Sequence, residues 1–132
     1  MADKENLLTV EHLKKTFTVG RGKILHAVDD VSFSIPKGTT LGLVGESGCG
    51  KTTVGRTLVR LYEPDGGKII FDGQDISAVR GKEKRELTRR MQMVYQDPYA
   101  SLNPFFTVGE IITEGLEIHG IGGSKKEDGD RL

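Results

Sequence analysis

The sequence predicts an α/β fold built around a phosphate-binding loop, and three consecutive features predict it. A short apolar run, Thr40 to Val44, leads into Gly45-Glu46-Ser47-Gly48-Cys49-Gly50-Lys51-Thr52. Lys51 to Leu61 then places Val54, Leu58 and Leu61 on one helical face. Strand, glycine-rich loop and amphipathic helix in that order are the context that the G-x-x-x-x-G-K-[ST] pattern requires. Thr40–Val44 reads as a buried parallel strand at the centre of a core sheet.

The remaining elements follow along the chain. Leu7–Phe17 and Ala27–Ile35 read as strands, the second alternating Val31, Phe33 and Ile35 against Ser32 and Ser34. The polar stretch Thr18–Lys23, with two glycines, connects them. Pro36-Lys37-Gly38 is a turn, and Pro64-Asp65-Gly66-Gly67 stops the helix after the loop. Lys68–Phe71 and Gln74–Ile76 form a hairpin, because Asp72-Gly73 supplies the positive φ angles of a type I′ turn. These hairpins make an antiparallel β-layer. Lys82–Arg90 is a charged helix leading into a strand at Gln92–Tyr95. Thr107 and Glu110 make a capping-box pattern ahead of Val108, Ile111 and Ile112, so a last helix starts near Val108. From Gly120 the composition turns to Gly, Ser and charge.

Composition limits what the loop can serve. The chain has 132 residues and 36% hydrophobic content, enough for one modest core. Nineteen Lys and Arg balance nineteen Asp and Glu, so no global field collects nucleic acid or anionic lipid, and anion binding must be local. Lys82-Glu83-Lys84-Arg85-Glu86 with Arg89 and Arg90 mixes signs and reads as a solvated helix face rather than a nucleic-acid patch. A single cysteine, Cys49, excludes an internal disulfide, the start lacks a secretory signal, and a reducing cytoplasm is the simplest setting. Apolar runs fall far short of the roughly 20 residues of a membrane span.

Each residue type in Gly45–Thr52 has a chemical reason to be there. The glycines let consecutive backbone N–H groups converge on an anion, and the helix beginning near Lys51 adds its positive end. Lys51 offers a charge to the β- and γ-phosphates, and the Thr52 hydroxyl is placed to ligate Mg²⁺. Cys49 occupies a variable position, tolerated rather than catalytic, although a helix N-terminus raises thiol reactivity. His12, His26 and His119 show no metal-ligand spacing and read as surface or packing histidines. By itself the pattern is shared by kinases, GTPases and many ATPases.

The rest of the chain, from Leu7 to about Glu117, resembles the ATP-binding subunits of ABC transporters. The residues that carry the likeness are Phe17 in Leu13-Lys14-Lys15-Thr16-Phe17, the unbroken stretch Gly38–Thr53, and Gln96-Asp97-Pro98 after the Met91–Tyr95 segment. The resemblance implies a phosphate-loop NTPase fold of the ABC ATPase type, with residues 1–106 as the nucleotide-binding part and 107–132 opening a truncated helical subdomain. It implies ATP and Mg²⁺ as cofactors. Phe17 would stack on adenine, the alternative being a ring packed inside the hairpin. Gly45, Glu46, Ser47, Gly48, Cys49, Gly50, Lys51, Thr52 and Thr53 would hold the phosphates. Lys51 and Gln96 would be catalytic, and Thr52 and Gln96 would approach the metal. Gln96–Pro104 with Thr107–Glu110 is similar to the oligopeptide and dipeptide import branch, whose relatives also carry nickel or glutathione.

That branch implies partners: transmembrane permease subunits, a second ATP-binding subunit in a homo- or heterodimer, and, indirectly, an extracytoplasmic solute-binding protein. The location implied is peripheral, on the cytoplasmic face of the cell membrane. Exposed Tyr99, Phe105 and Phe106 would form the docking surface, with packing under the next helix as the alternative for Phe106. A complete member would also carry an LSGGQ-type signature, an apolar strand ending in Asp and Glu, and a switch histidine, none of which occurs here. The expectation is an N-terminal part that binds ATP without hydrolysing it. The rival readings are a soluble ABC-type ATPase unlinked to transport and a non-functional gene remnant.

Overall fold

A computed structural model describes residues 5–121 and divides the chain into two compact units, Met1–Met93 and Val94–Leu132. The first unit holds β1 (Asn6–Val19), β2 (Lys23–Pro36), α1 (Lys51–Leu58), β3 (Gly66–Phe71), β4 (Gln74–Asp75) and α2 (Gly81–Arg90). Its four strands form one antiparallel sheet in the order β2-β1-β3-β4. The first hairpin is longer and its connection tighter than the sequence suggested. Pairing continues to Val19↔Lys23, and Lys23 N–H closes the turn on the Gly20 carbonyl at 3.1 Å.

The core of this unit comprises Leu8, Val10 and Leu13 of β1, Val28 of β2, Val54 of α1, Ile69 and Phe71 of β3, and Ile76, Val79 and Leu87. Strict alternation would bury residue 12 after Leu8 and Val10, yet Leu13 is the buried one. An irregularity between Val10 and Leu13 makes the difference, with His12 at φ 50° as the inserted residue. Across the ladder Asp30, at φ 56°, similarly separates Val28 from Val31. The two irregularities meet, since His12 Nδ1 lies 2.6 Å from Asp30 Oδ1 and His12 N–H donates to Ser32 Oγ at 2.8 Å.

Around the Asp72-Gly73 turn, where both residues have positive φ, charges tie four segments together. Asp72 accepts from Arg90 Nη2 at 2.6 Å and pairs with Lys37 Nζ at 2.9 Å, and Lys37 also reaches Glu5 at 2.9 Å. Hydrogen bonds from Lys37 and then Arg90 hold the Asp72 carboxyl below the ordinary range, and the bonds that Lys37 makes to Asp72 and then Glu5 raise Lys37.

Two expected strands do not form. Thr40–Val44 and Gln92–Tyr95 are in no sheet, and Leu41, Leu43, Val44, Val94 and Tyr95 are exposed, Val44 and Val94 at 90% and 94%. Parallel strands are stable when neighbours bond both edges and helices cover both faces. Among the described residues the sheet's pairings are all antiparallel and join only β1, β2, β3 and β4, so neither segment acquires a partner.

The helix after the loop also ends early, at Leu58 rather than Leu61. Leu61 N–H bonds the Arg56 carbonyl at 2.9 Å and Arg60 N–H the Thr57 carbonyl at 3.1 Å, with Arg60 at φ 61°. This is the Schellman closure, here with arginine where glycine is usual. It turns Leu61 outward, 51% exposed, and brings Thr57 fully inside, its hydroxyl donating to the Thr53 carbonyl at 2.7 Å. Arg60 itself is buried, and its Nε and Nη1 have no hydrogen-bond partner among the described residues.

The second unit contains α3 (Pro98–Ser101) and α4 (Val108–His119). The expected capping box is present: Thr107 N–H donates to Glu110 Oε2 at 2.9 Å, and Glu110 N–H donates to Thr107 Oγ1 at 3.3 Å. Gly120, at φ 62°, closes the helix. Tyr99 and Phe105 are 88% and 91% exposed, as the loop reading anticipated. Most of the Gly/Ser/charged stretch, residues 122–132, lies outside the described residues. Among the described residues no helix is long and apolar enough to cross a membrane.

Candidate functional site

The first unit contains a cavity of about 370 Å³ lined by Phe17 and Leu25, His26 and Ala27 of the β1–β2 hairpin, and by Gly48–Thr53 of the glycine-rich loop and α1. Its volume lies within the roughly 300–1,000 Å³ usual for small-molecule sites. Its lining combines an aromatic ring with a helix N-terminus.

The loop part of the lining is shaped by backbone conformation. Gly48 and Gly50 sit at φ 81° and 95°. Gly50 has a second reason to be glycine: a Cβ there would stand 2.2 Å from the Ala27 carbonyl oxygen. The loop is therefore pressed against β2, which brings hairpin and loop into one cavity. Gly50 is also the N-cap of α1, and no side chain caps it. The leading N–H groups of a helix lack intrahelical acceptors, so an uncapped N-terminus beside a cavity offers convergent donors and partial positive charge.

Lys51 opens α1. Its ammonium donates to the Gly45 and Glu46 carbonyls at 2.8 and 2.6 Å and lies 3.5 Å from Cys49 Sγ. These contacts hold its three donors over the loop, and neutral carbonyls are weaker partners than phosphate oxygens. Thr52 and Thr53 line the cavity beside it. A phosphate chain fits this donor set. Mg²⁺ fits as well, with the Thr52 hydroxyl as one protein ligand, because this ion usually keeps water and substrate phosphates as its others. Among the described residues no group of three or more His, Cys, Asp or Glu could hold a metal independently.

Phe17 belongs to the hairpin part of the lining. Its half-buried ring meets Tyr62 edge-on, centroids 5.3 Å apart and planes at 79°, while Lys15 Nζ stands 5.3 Å from its centre. The ring thus both packs within the hairpin region and lines the cavity. Asp65 anchors this part, accepting from Thr16 N–H at 2.6 Å, Thr16 Oγ1 at 2.9 Å and Lys15 Nζ at 3.0 Å. The Thr16 backbone bond is the foremost reason its carboxyl titrates below the ordinary range.

Of the residues singled out in the sequence, Phe17, Gly48, Cys49, Gly50, Lys51, Thr52 and Thr53 line the cavity together. Gly45 and Glu46 support it through the carbonyls that receive Lys51, and Ser47 is exposed in the same loop. Gln96 is exposed in the second unit, just ahead of α3. Sequence reasoning missed Leu25, His26 and Ala27. It began the second strand at Ala27, whereas a tight turn at Gly20-Arg21-Gly22 sets Leu25 directly opposite Phe17. The paired glycines there were the available signal.

Similarity to known proteins agrees with this geometry. The oligopeptide transport ATP-binding protein OppF of Bacillus subtilis (strain 168) is 54% identical over 124 residues, covering 93% of this chain and 40% of that protein. A putative peptide import ATP-binding protein of Brucella ovis is 52% identical over 116 residues, covering 88% of this chain and 36% of its own length. The chain therefore spans 40% or less of these curated relatives. The dimeric structure of MJ0796, described as a bacterial ABC transporter cassette, superposes with a TM-score of 0.76 at 24% identity, covering 94% of this chain and 53% of that one. At that identity the likeness speaks to the fold, which is that of an ABC ATPase cassette. With residues 28–131 matching the ABC transporter family, this chain belongs to that family.

Proposed function

We propose that this chain is the nucleotide-binding part of an ATP-binding subunit that energises peptide import through a membrane. The observation that carries the proposal is the single cavity that joins an aromatic ring, Phe17, to the uncapped N-terminus of α1 and Lys51. That arrangement suits a ligand with a flat base at one end and a polyphosphate at the other. The peptide class comes from relatives more than 50% identical, which are oligopeptide transport and putative peptide import ATP-binding proteins.

In this reading Phe17 stacks on adenine, Gly45–Thr53 bind the phosphates, Lys51 neutralises their charge, and the Thr52 hydroxyl serves Mg²⁺, while Gln96 keeps the catalytic role that the family resemblance implies. When bound, Mg²⁺ supplies charge neutralisation at the phosphates. Residues 1–106 form the nucleotide-binding part, and 107–132 open a helical subdomain. Tyr99 and Phe105, exposed in the second unit, meet transmembrane permease subunits at the cytoplasmic face. A second ATP-binding subunit completes the assembly, and a solute-binding protein delivers cargo to the permease. The chain alone binds ATP without turning it over, because the cavity's lining residues include no carboxylate to polarise an attacking water.

Calorimetric titration of the 132-residue chain with Mg-ATP tests this. Lys51→Ala should weaken binding by about 1.5–3 kcal/mol, roughly 10- to 150-fold, by removing a charge-assisted contact. Phosphate release should stay at background for both proteins. Equal affinity for mutant and parent refutes the binding reading, and Lys51-dependent hydrolysis by the chain alone refutes the inactivity.

A further inference from the structure

The Phe17 ring does not stand alone, and the group that sets its plane lies outside the cavity. Tyr62 meets it edge-on, with centroids 5.3 Å apart and planes at 79°, yet Tyr62 is not among the cavity's lining residues. An edge-to-face contact places the positive rim of one ring on the negative face of the other, so it favours a definite angle rather than mere proximity. Tyr62 is itself held. Its hydroxyl accepts from Arg56 Nη1 at 3.0 Å, and the Arg56 guanidinium carbon lies 5.8 Å from its ring centre.

Arg56 belongs to the last turn of α1, the helix that Lys51 begins. The Schellman closure after Leu58 reverses the chain so that Tyr62 returns beside Arg56; its N–H bonds the Arg56 carbonyl at 3.2 Å. A helix continuing through Leu61 would have carried residue 62 away from that contact. Three residues further on, Asp65 fixes Lys15, whose ammonium stands over the same Phe17 ring, and also fixes the Thr16 backbone. The link following α1 therefore contacts the ring directly through Tyr62 and indirectly through the Lys15 that Asp65 holds.

We infer that Tyr62, oriented by Arg56, is the positioning residue for the Phe17 platform, so that base recognition is preorganised by the same helix whose N-terminus faces the phosphates. This rests on the reading that Phe17 stacks on the base. A ring already held in its bound orientation loses less freedom on binding, which raises affinity for ligands that carry a base and leaves others unaffected.

The test compares ATP with inorganic tripolyphosphate by calorimetry on the full chain, in parent, Tyr62→Ala, Tyr62→Phe, Phe17→Ala and the Phe17→Ala/Tyr62→Ala double variant. Tyr62→Ala should weaken ATP by about 3- to 10-fold while tripolyphosphate binding changes less than about twofold, the span expected for one aromatic pair. Tyr62→Phe keeps the ring and should recover most of that loss. In the Phe17→Ala background Tyr62→Ala should have little further effect, since it acts through Phe17. Equal losses for both ligands would make Tyr62 merely structural, and additive losses in the double variant would separate it from Phe17; either overturns the inference. If Phe17→Ala lowers ATP affinity selectively but Tyr62→Ala does nothing, the inference alone fails. If Phe17→Ala spares ATP, the stacking reading falls and takes the inference with it.

Discussion

Replacing Gly50 with alanine would put a methyl carbon 2.2 Å from the Ala27 carbonyl oxygen and 3.4 Å from its carbon, on a backbone held at φ 95°. Two costs follow. A side chain in left-handed backbone costs about 1–2 kcal/mol. The overlap falls more than an ångström short of even a close C–H···O contact of about 3.3 Å, and overpacking of this kind costs a further 1–3 kcal/mol. The sum is about 2–5 kcal/mol. Because the neighbour is main chain, relief requires the loop and β2 to separate, which opens the cavity. Gly48→Ala is the matched control, since Gly48 also has positive φ, 81°, but a Cβ there meets nothing within 4 Å. It should cost the backbone term alone. At about 4 °C per kcal/mol for a domain near this size, thermal melting should give a fall in Tm of about 8–20 °C for Gly50→Ala and about 4–8 °C for Gly48→Ala. Mg-ATP should raise Tm of the parent most, that of Gly48→Ala less, since this loop residue lines the cavity, and that of Gly50→Ala scarcely at all. Equal stability and equal ATP response in the two variants would refute the claim that contact between loop and β2 builds the site.

Two further outcomes concern charge. The Asp65 carboxyl is held below its ordinary value of 3.8, first by the Thr16 N–H, so the unfolded chain binds its proton more readily than the folded one. Its stabilisation is complete above the ordinary carboxyl range and fades as pH falls through the depressed folded value. Asp65→Asn should therefore lower the urea midpoint at pH 7, and the gap should shrink by pH 3; a gap of constant size would show that charge is not involved. Arg60 is 1% exposed with Nε and Nη1 unpartnered among the described residues, and burial lowers its pKa. Arg60→Met keeps the volume and carries the same left-handed strain, so it should stabilise the chain by about 1–3 kcal/mol in urea titration. A loss of stability would reveal a partner for the guanidinium.

Local chemistry is what the sequence could state unaided. The phosphate-loop pattern, the capping box at Thr107 and Glu110, the Asp72-Gly73 turn and the charged helix over Gly81–Arg90 depend on residues a few positions apart, and all are present. The likeness to ABC ATP-binding subunits was equally legible, because it rests on side chains that recur in order along the chain. Tertiary structure decided whatever needed a distant partner. Thr40–Val44 has the composition of a buried strand but no neighbour to bond among the described residues, and a strand is defined by its neighbours. The helix after the loop stops at Leu58 through a closure built on arginine, which no glycine announced. His12 and Asp30 shift the phase of both hairpin strands, a choice visible only when the strands lie side by side. That hairpin geometry sets Leu25 opposite Phe17 and presses Ala27 onto Gly50, which brings the glycine-rich loop and the aromatic ring into one cavity. Short-range hydrogen bonding is written in neighbouring residues, whereas the cavity depends on contacts between segments more than 20 residues apart, and those exist only once the chain has folded.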